Sequence, residues 1–377
     1  MGRVILHVIT SIRPGGAENH LLALACAQAR GGASVAVAYL KDDPELADGF
    51  SACGVETIRL GLSRYGDPLP ALRLARLIAR RSPDIVHAHM PPAELYARLA
   101  LLLRLDRHTP LVISRHNTER FFDGPCQATV ARWVARRADR VIAISQAVRD
   151  DTCARQLAPP DAIDVIPYGI DPSPFRTRDP ATRARMRLDW GLAPEEFAVG
   201  AIARLTPQKG LDVLLAAVAI AARGSGRRLR LAIAGEGPLR HELAAQARNL
   251  GIEGAILWLG KRPPVEVPAL FAAFDLFILP SRYEGLGLVL LEALAAEVPI
   301  VASRVGPIPE ILRDGITGTL VPPGDADALA KAIAAAATGQ AVHDVAIARA
   351  DLETHFSVDT MLASTKRSYD AAVAARA

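Results

Sequence analysis

The feature that most constrains the fold is an alternation of apolar, strand-like runs with helix-like runs, which occurs twice along the chain. The first series begins at residues 4–9 and ends near residue 145, and the second begins at residues 197–205 and ends near residue 303. The strand-like runs are apolar on both faces, which is typical of a parallel sheet covered by helices on both sides. The sequence therefore predicts an α/β chain with two Rossmann-like, doubly wound parallel-sheet domains.

The two series are separated by a segment rich in turn-forming and charged residues, near 172–195. We expect the two doubly wound sheets to face a central cleft with the carboxyl ends of their strands, where open α/β sheets bind their ligands. Each motif considered below follows directly after a predicted strand. All of them are therefore expected at such a cleft.

Composition and patterning exclude several classes of protein. A net charge of +4 over 377 residues, with no clustered recognition motif, argues against nucleic-acid binding. The four cysteines (Cys26, Cys53, Cys126 and Cys153) include no C-x-x-C pair, so neither a zinc ribbon nor a disulfide framework is expected, and a reducing, cytoplasmic compartment is favoured. The apolar runs are too short for a signal peptide or a membrane span.

Two motifs of the first half place glycine and histidine just after strands. In PGGAEN (14–19), two adjacent glycines let the backbone approach a ligand and the following helix N-terminus favours an anion. A plain strand-to-helix turn is the alternative. In HAHM, His87 and His89 point the same way from one strand, but no third ligand stands at metal-site spacing. We therefore expect packed or substrate-facing histidines and no metal.

SRHNTE (114–119) places His116 immediately after another predicted strand, with Glu119 three residues later. An imidazole at this edge could bind a sugar hydroxyl or act as an acid or base. A histidine in a surface loop is the alternative interpretation.

The first motif of the second half is ARLTPQKG (203–210), a short loop between a strand and a helix. Arg204 offers a forked guanidinium and Lys209 a compact ammonium, and together they suit a diphosphate. Two solvated side chains are the alternative.

The second motif is SRYEGLGLVLLE (281–292), in which two glutamates bracket an uncharged segment. Glu284 lies in a loop with two glycines, and Glu292 lies more than one turn into the following helix. Such an arrangement provides one carboxylate near a reacting sugar, backbone N–H groups for sugar and phosphate, and a second carboxylate for two ribose hydroxyls. The loop-to-helix spacing argues against a glycosidase pair. The acids of DAD (325–327) are explained by N-capping, which argues against a metal site there.

Taken together and in this order, the motifs resemble those of the retaining glycosyltransferases of family 4, which have the GT-B fold. Besides the motifs above, the resemblance includes ISQAVRDD, IPYGID, AGEGPLR and DGITGTLVPPGD, and it covers nearly the whole chain. It implies an acceptor-binding domain at 1–175, a nucleotide-sugar-binding domain at 176–354, and a helix at 355–377 that returns to the first domain. This chain departs from the family pattern at Leu286, where many relatives carry phenylalanine.

The resemblance also implies a role for each matching residue. Glu284 and His116 would act at the transferred sugar, Arg204 and Lys209 would bind the diphosphate, and Glu292 would bind the ribose. The remaining binding positions implied are Gly16 at the phosphates, Leu286, Gly287 and Leu288 through their amides, and Gly235 and Arg262 near the base. The reaction expected is metal-independent hexosyl transfer from a UDP-sugar or GDP-mannose, with front-face retention and no cofactor besides the donor.

Three alternatives remain open at this point. A nucleotide-sugar epimerase would consume the donor without an acceptor, and a phosphorylase would need a pyridoxal lysine that we cannot identify. A non-catalytic nucleotide-sugar-binding partner would bind without transfer, although both glutamates and both cations are present.

Arginines are clustered in the first half, at Arg59, Arg64, Arg73, Arg76, Arg80 and Arg81 and again at Arg132, Arg136, Arg137 and Arg140. Both clusters are predicted to lie on helices of the acceptor domain, where they form either solvated faces or a peripheral contact with an anionic membrane that carries a lipid-linked acceptor. The corresponding location is cytoplasmic or on the inner face of the plasma membrane.

Overall fold

The structure is a computed structural model that describes residues 2–117, 125–176, 179–224, 226–340 and 343–376. The chain divides into two compact units, Met1–Gly169 together with His355–Ala377, and Ile170–Thr354. The division falls six residues before the position expected from the sequence, 175/176. The cause is that Phe175 packs against Phe271 in the second unit, with ring centroids 6.1 Å apart.

The first unit is built on a seven-stranded parallel sheet in the order β3-β2-β1-β4-β5-β6-β7. Its strands are β1 (Val4–Ile9), β2 (Ser34–Tyr39), β3 (Glu56–Arg59), β4 (Ile85–His89), β5 (Leu111–Arg115), β6 (Arg140–Ala143) and β7 (Ile163–Val165). Its helices are α1 (Gly16–Arg30), α2 (Ala47–Ala52), α3 (Leu69–Arg81), α4 (Pro91–Leu103), α5 (Pro125–Ala135), α6 (Gln146–Ala154) and the final helix α15 (Val358–Ala374).

Residues on alternate strand positions form the two cores of the first unit. One face of the sheet, which includes Leu6 and Val86, packs under α3 and α4. The other face, which includes Ile5 and Ile85, packs with Leu24 of α1 and with Tyr369 of α15. The last helix of the chain therefore completes a core that begins with its first strand.

The second unit is built on a six-stranded parallel sheet in the order β10-β9-β8-β11-β12-β13. Its strands are β8 (Phe197–Ile202), β9 (Leu229–Ala234), β10 (Ile256–Gly260), β11 (Leu276–Leu279), β12 (Ile300–Ser303) and β13 (Thr319–Val321). Its helices are α7 (Pro180–Asp189), α8 (Leu211–Gly224), α9 (Arg240–Asn249), α10 (Val267–Ala273), α11 (Leu288–Ala295), α12 (Ile308–Ile311), α13 (Ala326–Ala337) and α14 (Val345–His355).

Both sheets are parallel, buried and doubly wound, so the prediction of two Rossmann-like halves is confirmed. In each sheet the strand order changes direction once, between β1 and β4 in the first unit and between β8 and β11 in the second. Ligands of open α/β sheets bind at this topological switch point, just beyond the carboxyl ends of the strands. The loops after β1, β8 and β11 carry PGGAEN, ARLTPQKG and SRYEGLGLVLLE, whereas His87 and His89 belong to β4 itself and His116 directly follows β5.

The cysteine prediction needs one correction. Cys26 of α1 is bonded to Cys53, which follows α2, and their Cα atoms are 5.2 Å apart. The pair is 27 residues apart in sequence and is brought together by the packing of α2 against α1, which no local cysteine pattern reveals. The expectation of unpaired cysteines is wrong here, and the cysteine argument for a reducing compartment no longer stands.

Candidate functional site

In the second unit, the loops that follow β8 and β11 meet at the switch point of the sheet. Lys209 and Glu284, far apart in sequence, form an ion pair with Nζ 2.5 Å from Oε1. The hydroxyl of Ser281 donates to the same carboxylate oxygen at 2.6 Å. The side chains of Lys209 and Glu284 are only 15% and 5% exposed, so this ion pair is largely shielded from bulk water.

The two loops are locked together by further contacts. The backbone N–H of Arg282 donates to the carbonyl oxygen of Gln208 at 2.8 Å, and the Arg282 guanidinium forms a two-pronged ion pair with Asp212 at the start of α8. Gly210 has φ +60°, and a Cβ there would lie 2.1 Å from the carbonyl oxygen of Pro280. Only glycine permits this close approach, which holds Lys209 against Glu284.

Arg204 lies on the same loop as Lys209, next to the end of β8, and its side chain is exposed. Within the described ranges it has no ion pair. The loop therefore carries one ammonium already paired with Glu284 and one guanidinium that is available to a ligand.

The backbone after Glu284 turns directly into α11. Gly287 is the N-cap residue and has φ 84° and ψ 64°, a left-handed conformation that favours glycine. Leu286 before it is buried and Leu288 is the first helical residue. The first N–H groups of a helix have no partner within it, so the amides of this segment can bind an anion.

Glu292 lies on α11 and is partly buried. Burial raises the pKa of its carboxyl from 4.5 to about 7. Over the residues that the structure describes, its carboxylate has no hydrogen bond or ion pair. Both oxygens of this carboxylate can therefore accept hydrogen bonds from a ligand, as the binding of two sugar hydroxyls requires.

Gly235 and Arg262 follow β9 and β10. Gly235 has φ +137°, and a Cβ would lie 1.9 Å from the carbonyl oxygen of Ala203 on the loop that carries Arg204. The guanidinium of Arg262 donates to the Leu259 carbonyl oxygen at 2.9 Å and faces Glu266. The structure thus places Gly235 against the Arg204 loop, while the side chain of Arg262 is engaged within its own segment.

In the first unit, Gly16 is the first residue of α1 and follows the N-cap Gly15. A Cβ at Gly16 would meet no atom within 4 Å, so packing within the protein does not require glycine at this position. The carboxylate of Glu18 lies over Gly15, where an added Cβ would be 2.4 Å from Oε2.

His116 is buried, and both of its ring nitrogens are engaged. Nε2 is 3.1 Å from Nδ1 of His89, and Nδ1 is 2.8 Å from the hydroxyl of Tyr168. Burial, with a smaller effect of the Arg115 charge, lowers the pKa of His116 to about 3. The imidazole is therefore neutral at pH 7. Glu119 of the same motif lies outside the described residues.

A third histidine, His7, lies beside His87 and His89 and was not anticipated from the sequence. His7 of β1 pairs with His87 across the sheet, and the three side chains have nitrogen atoms within 4.8 Å of one another. These histidines are fully buried, and hydrogen bonds to neighbouring side chains engage their ring nitrogens. The reason given against a metal pair, the missing third ligand, is wrong, because His7 supplies a third ring nitrogen beside His87 and His89.

The basic clusters of the first unit are only partly helical, contrary to the prediction. Arg59 belongs to β3 and Arg140 to β6, and Arg64 precedes α3. Several members are engaged internally: Arg73 with the Leu60 carbonyl oxygen, Arg81 with Glu56, Arg137 with Asp139 and Arg140 with Asp164. The exposed arginines that remain on or beside α3 and α5 are Arg64, Arg76, Arg80, Arg132 and Arg136.

An apolar groove lies between α3, α4 and α5 on the same unit. Its volume is about 660 Å³, and its lining includes Leu72, Leu99, Leu102, Leu103 and Val130. Four of these side chains are at least 38% exposed. Large exposed apolar patches often belong to interaction surfaces. Among the helices described, none combines the length and apolarity of a bilayer span.

Comparison with known proteins identifies the family. The family model for Glycosyltransferase Family 4 matches residues 14–174, and that for Glycosyl transferases group 1 matches residues 183–351. A GDP-mannose-dependent alpha-(1-6)-phosphatidylinositol monomannoside mannosyltransferase of Mycolicibacterium smegmatis is 35% identical over 275 residues, which is 71% of this chain and 70% of that protein. The chain belongs to glycosyltransferase family 4. Its activity class is therefore transfer of a sugar from a nucleotide-sugar donor.

Further comparisons agree with this assignment. A D-inositol 3-phosphate glycosyltransferase of Mycobacterium avium is 32% identical over 341 residues, covering 81% of this chain and 76% of that protein. HepE of Anabaena, solved with UDP-glucose, superposes with a TM-score of 0.83 at 25% identity, covering 98% and 99% of the two chains. Sucrose-phosphate synthase of Thermosynechococcus elongatus, at 21% identity and a TM-score of 0.81 over 99% and 100% of the two chains, shows the fold alone. The predicted GT-B fold is confirmed.

Proposed function

We propose that this glycosyltransferase is a retaining, metal-independent hexosyltransferase that uses GDP-mannose or a UDP-sugar and acts on a glycan or lipid-linked acceptor. The observation that carries the proposal is the pairing of Lys209 with Glu284 at the switch point of the second sheet. A diphosphate and a sugar bound there would contact a cation and a carboxylate within one hydrogen-bond length of each other. The second unit is thus proposed as the donor-binding domain and the first as the acceptor-binding domain.

The diphosphate is the part of the donor that the second unit suits best. Arg204 is exposed and Lys209 lies on the same short loop, and the N-terminus of α11 adds backbone N–H groups. Fixed positive groups of this kind stabilise the negative charge that develops on a leaving phosphate. They do so without a divalent ion, and we therefore expect turnover to be unaffected by a chelator.

Glu284 is proposed to contact the transferred sugar. Within the described residues both of its contacts, to Lys209 and to Ser281, are made by Oε1. Oε2 can then accept from a sugar hydroxyl without loss of either contact. Glu292, whose carboxylate has no partner in the described ranges, is proposed to accept from the ribose hydroxyls.

The remaining predicted positions keep their proposed roles. The amides of Leu286, Gly287 and Leu288 would bind the sugar and phosphate, and Gly235 with the Arg262 backbone would lie near the base. Gly16 is proposed to approach the phosphates, because nothing within the protein occupies the space beside its Cα. For His116 a proton-transfer role is not favoured, since both ring nitrogens are engaged. We propose that it positions the residues that face the sugar.

Retention is proposed to proceed on the front face, with the leaving phosphate taking the proton of the acceptor hydroxyl. Glu284, the carboxylate nearest the expected sugar site, is held by an ion pair with Lys209, which lowers its nucleophilicity. The anomeric configuration of the product, read by NMR, tests this point directly. An inverted product would contradict the proposal.

A lipid-linked acceptor and peripheral contact with an anionic membrane are supported by the groove between α3, α4 and α5, and the cytoplasmic face remains the proposed side. Its apolar lining suits an acyl or prenyl chain, and Arg76, Arg80 and Arg132 nearby suit an anionic headgroup. Co-sedimentation with anionic liposomes should be lost in the double variant Leu102→Asp/Leu103→Asp. The control Leu188→Asp changes an exposed leucine of the second unit and should bind as wild type. Equal binding by both variants would contradict a membrane contact at the groove.

The decisive experiment measures donor binding and turnover. We expect GDP-mannose or a UDP-sugar to raise the melting temperature, because a ligand that binds only the native state stabilises it by mass action. Lys209→Ala and Glu284→Gln should each lower turnover at least about a hundredfold, consistent with loss of about 3 kcal/mol of transition-state stabilisation. Lys331→Ala, which removes an exposed lysine of α13, is the matched control.

The same assay separates the transferase from two of the three alternatives, the epimerase and the binding partner. An epimerase would convert the donor when it is incubated alone, whereas a transferase would need an acceptor. A binding partner would show the rise in melting temperature without transfer to any acceptor. If Lys209→Ala and Glu284→Gln both turn over like Lys331→Ala, the proposed site is wrong.

A further inference from the structure

The core of the first unit contains a continuous series of hydrogen-bonded side chains, which we call the histidine network. Its members, in order of contact, are Tyr168, His116, His89, His7, Gln28, Tyr369, His87 and Ser114. The successive donor–acceptor distances are 2.8, 3.1, 3.0, 2.8, 3.2, 2.7 and 2.7 Å. All eight side chains are buried.

The direction of each hydrogen bond from Gln28 to His116 follows from one atom. Oε1 of Gln28 can only accept, so Nε2 of His7 must donate to it. In a neutral imidazole Nδ1 then carries no proton, and His7 must accept from Nε2 of His89. By the same argument, His89 must accept from Nε2 of His116. Nδ1 of His116 is left to accept from the hydroxyl of Tyr168.

The other branch is consistent with the same orientation of the amide. Nε2 of Gln28 donates to the hydroxyl of Tyr369, and this hydroxyl donates to Nδ1 of His87. Nε2 of His87 can then donate to Ser114. Every member of the network therefore has a donor facing an acceptor, and rotation of the Gln28 amide by half a turn would require every one of these hydrogen bonds to reverse.

We infer that Gln28 is a positioning residue that sets the tautomer of His116 through His7 and His89. The inference rests on the proposed function only where it concerns turnover. In the arrangement set by Gln28, His116 is protonated on Nε2, and the proton of the Tyr168 hydroxyl is committed to His116. The oxygen of Tyr168 can then accept a further hydrogen bond but cannot donate one. In the reversed arrangement Tyr168 would be a donor.

Helix α15 also takes part in the histidine network, through Tyr369. Tyr369 of α15 accepts from Gln28 and donates to His87, so it links the amide of Gln28 to the second branch of the network. His20 of α1 stacks on the ring of Tyr168 with centroids 4.2 Å apart, which fixes the plane of that ring at the other end of the network. The orientation of a group in α1 is thus transmitted to the strand end at which His116 lies.

The test is the tautomer of His116, measured by long-range ¹H–¹⁵N correlation spectra of histidine-labelled protein without donor. The signal is assigned by its loss in His116→Ala. We expect His116 to be protonated on Nε2 in the wild type. In Gln28→Leu, which keeps the bulk of the side chain but removes the amide, both tautomers should be populated. The matched control is Ser114→Ala, which removes a buried hydrogen bond from the far end of the network and should leave the His116 tautomer unchanged.

Turnover provides the second readout. In Gln28→Leu we expect kcat to fall by about tenfold or more with little change in KM for the donor, because a reversed network would misplace the residues that His116 is proposed to position at the sugar. Ser114→Ala should keep kcat within about twofold of wild type. A wild-type His116 protonated on Nδ1, or a Gln28→Leu protein that keeps the wild-type tautomer, would overturn the inference. A changed tautomer with unchanged kcat would overturn the positioning role. Since the spectra need no donor, failure of the proposed function would not affect them.

Discussion

Replacement of Glu292 by glutamine should make the protein more stable at neutral pH and weaken donor binding at the same time. Burial raises the pKa of this carboxyl from 4.5 to about 7. At about 1.4 kcal/mol for each pH unit between the two values, the ionised carboxylate destabilises the folded state by about 3 kcal/mol. Solvent access to this partly buried side chain makes about 3 kcal/mol an upper bound.

The sign of the pH dependence follows from the raised pKa. Below about pH 4.5 the carboxyl is protonated in both the folded and the unfolded chain, and glutamine should have little effect. As the pH rises towards 7, the unfolded chain releases its proton while the folded chain retains it, so the wild type loses stability relative to the variant. Above about pH 7 the difference should be complete and constant.

Urea unfolding of wild type and Glu292→Gln, at a series of pH values from about 5 to about 8, measures this difference. The matched control is Glu242→Gln, which replaces an exposed carboxylate on α9 and should show no such trend. A stability difference for Glu292→Gln that is constant over this range would refute the argument from burial. Nucleotide sugars should also raise the melting temperature of Glu292→Gln less than that of wild type, because a neutral amide accepts more weakly from the ribose hydroxyls.

Three further predictions concern glycines and the disulfide. Gly16→Ala should leave the melting temperature within about a degree of wild type, since no atom of the protein lies near the added Cβ, but it should lower turnover. Normal turnover in this variant would show that Gly16 does not contact the donor. Gly210→Ala should instead cost about 2 kcal/mol or more of unfolding free energy in a denaturant titration, because its Cβ would clash with Pro280, and an unchanged midpoint would contradict this close approach. Cys26→Ser should lower the free energy of unfolding by about 3 kcal/mol, because the disulfide to Cys53 closes a loop with a 27-residue separation. A reductant should destabilise the wild type but not this variant.

The sheets were predictable because their strands are apolar on both faces, a pattern that few other structures produce. Five of six residues in β1 are fully buried, and the alternation with helices determines that the sheet is parallel. The unit boundary was less predictable. It depends on the packing of Phe175 on Phe271, a contact between distant residues that leaves no local pattern in the sequence.

The site of the second unit was predictable at the level of residues but not of contacts. Lys209 and Glu284 were singled out because each follows a strand, and parallel strands bring their carboxyl ends to one edge. Their direct ion pair and the part played by Ser281 could not be predicted, since they depend on which strands are neighbours. The order β8-β11 in the sheet supplies that information.

For the histidines of the first unit, even the set of residues was only partly predictable. His87 and His89 were recognised as pointing the same way, but His7 was treated as part of an ordinary apolar strand. A polar residue at position 7, between Leu6 and Val8, was the available signal. Its partner Gln28 lies on a helix and Tyr369 lies near the end of the chain, so only the assembled fold brings the network together.

The place of α15 has a consequence for biosynthesis. Tyr369, from the last segment of the chain, fills a core together with Ile5 and Leu24 from the first strand and helix. During translation the second unit is complete when Thr354 has left the ribosome, whereas the first must wait for residues made afterwards. A nascent chain therefore leaves the part of this sheet face that α15 covers open to solvent until residues 358–374 have been made, and it is in this interval that a chaperone would be needed.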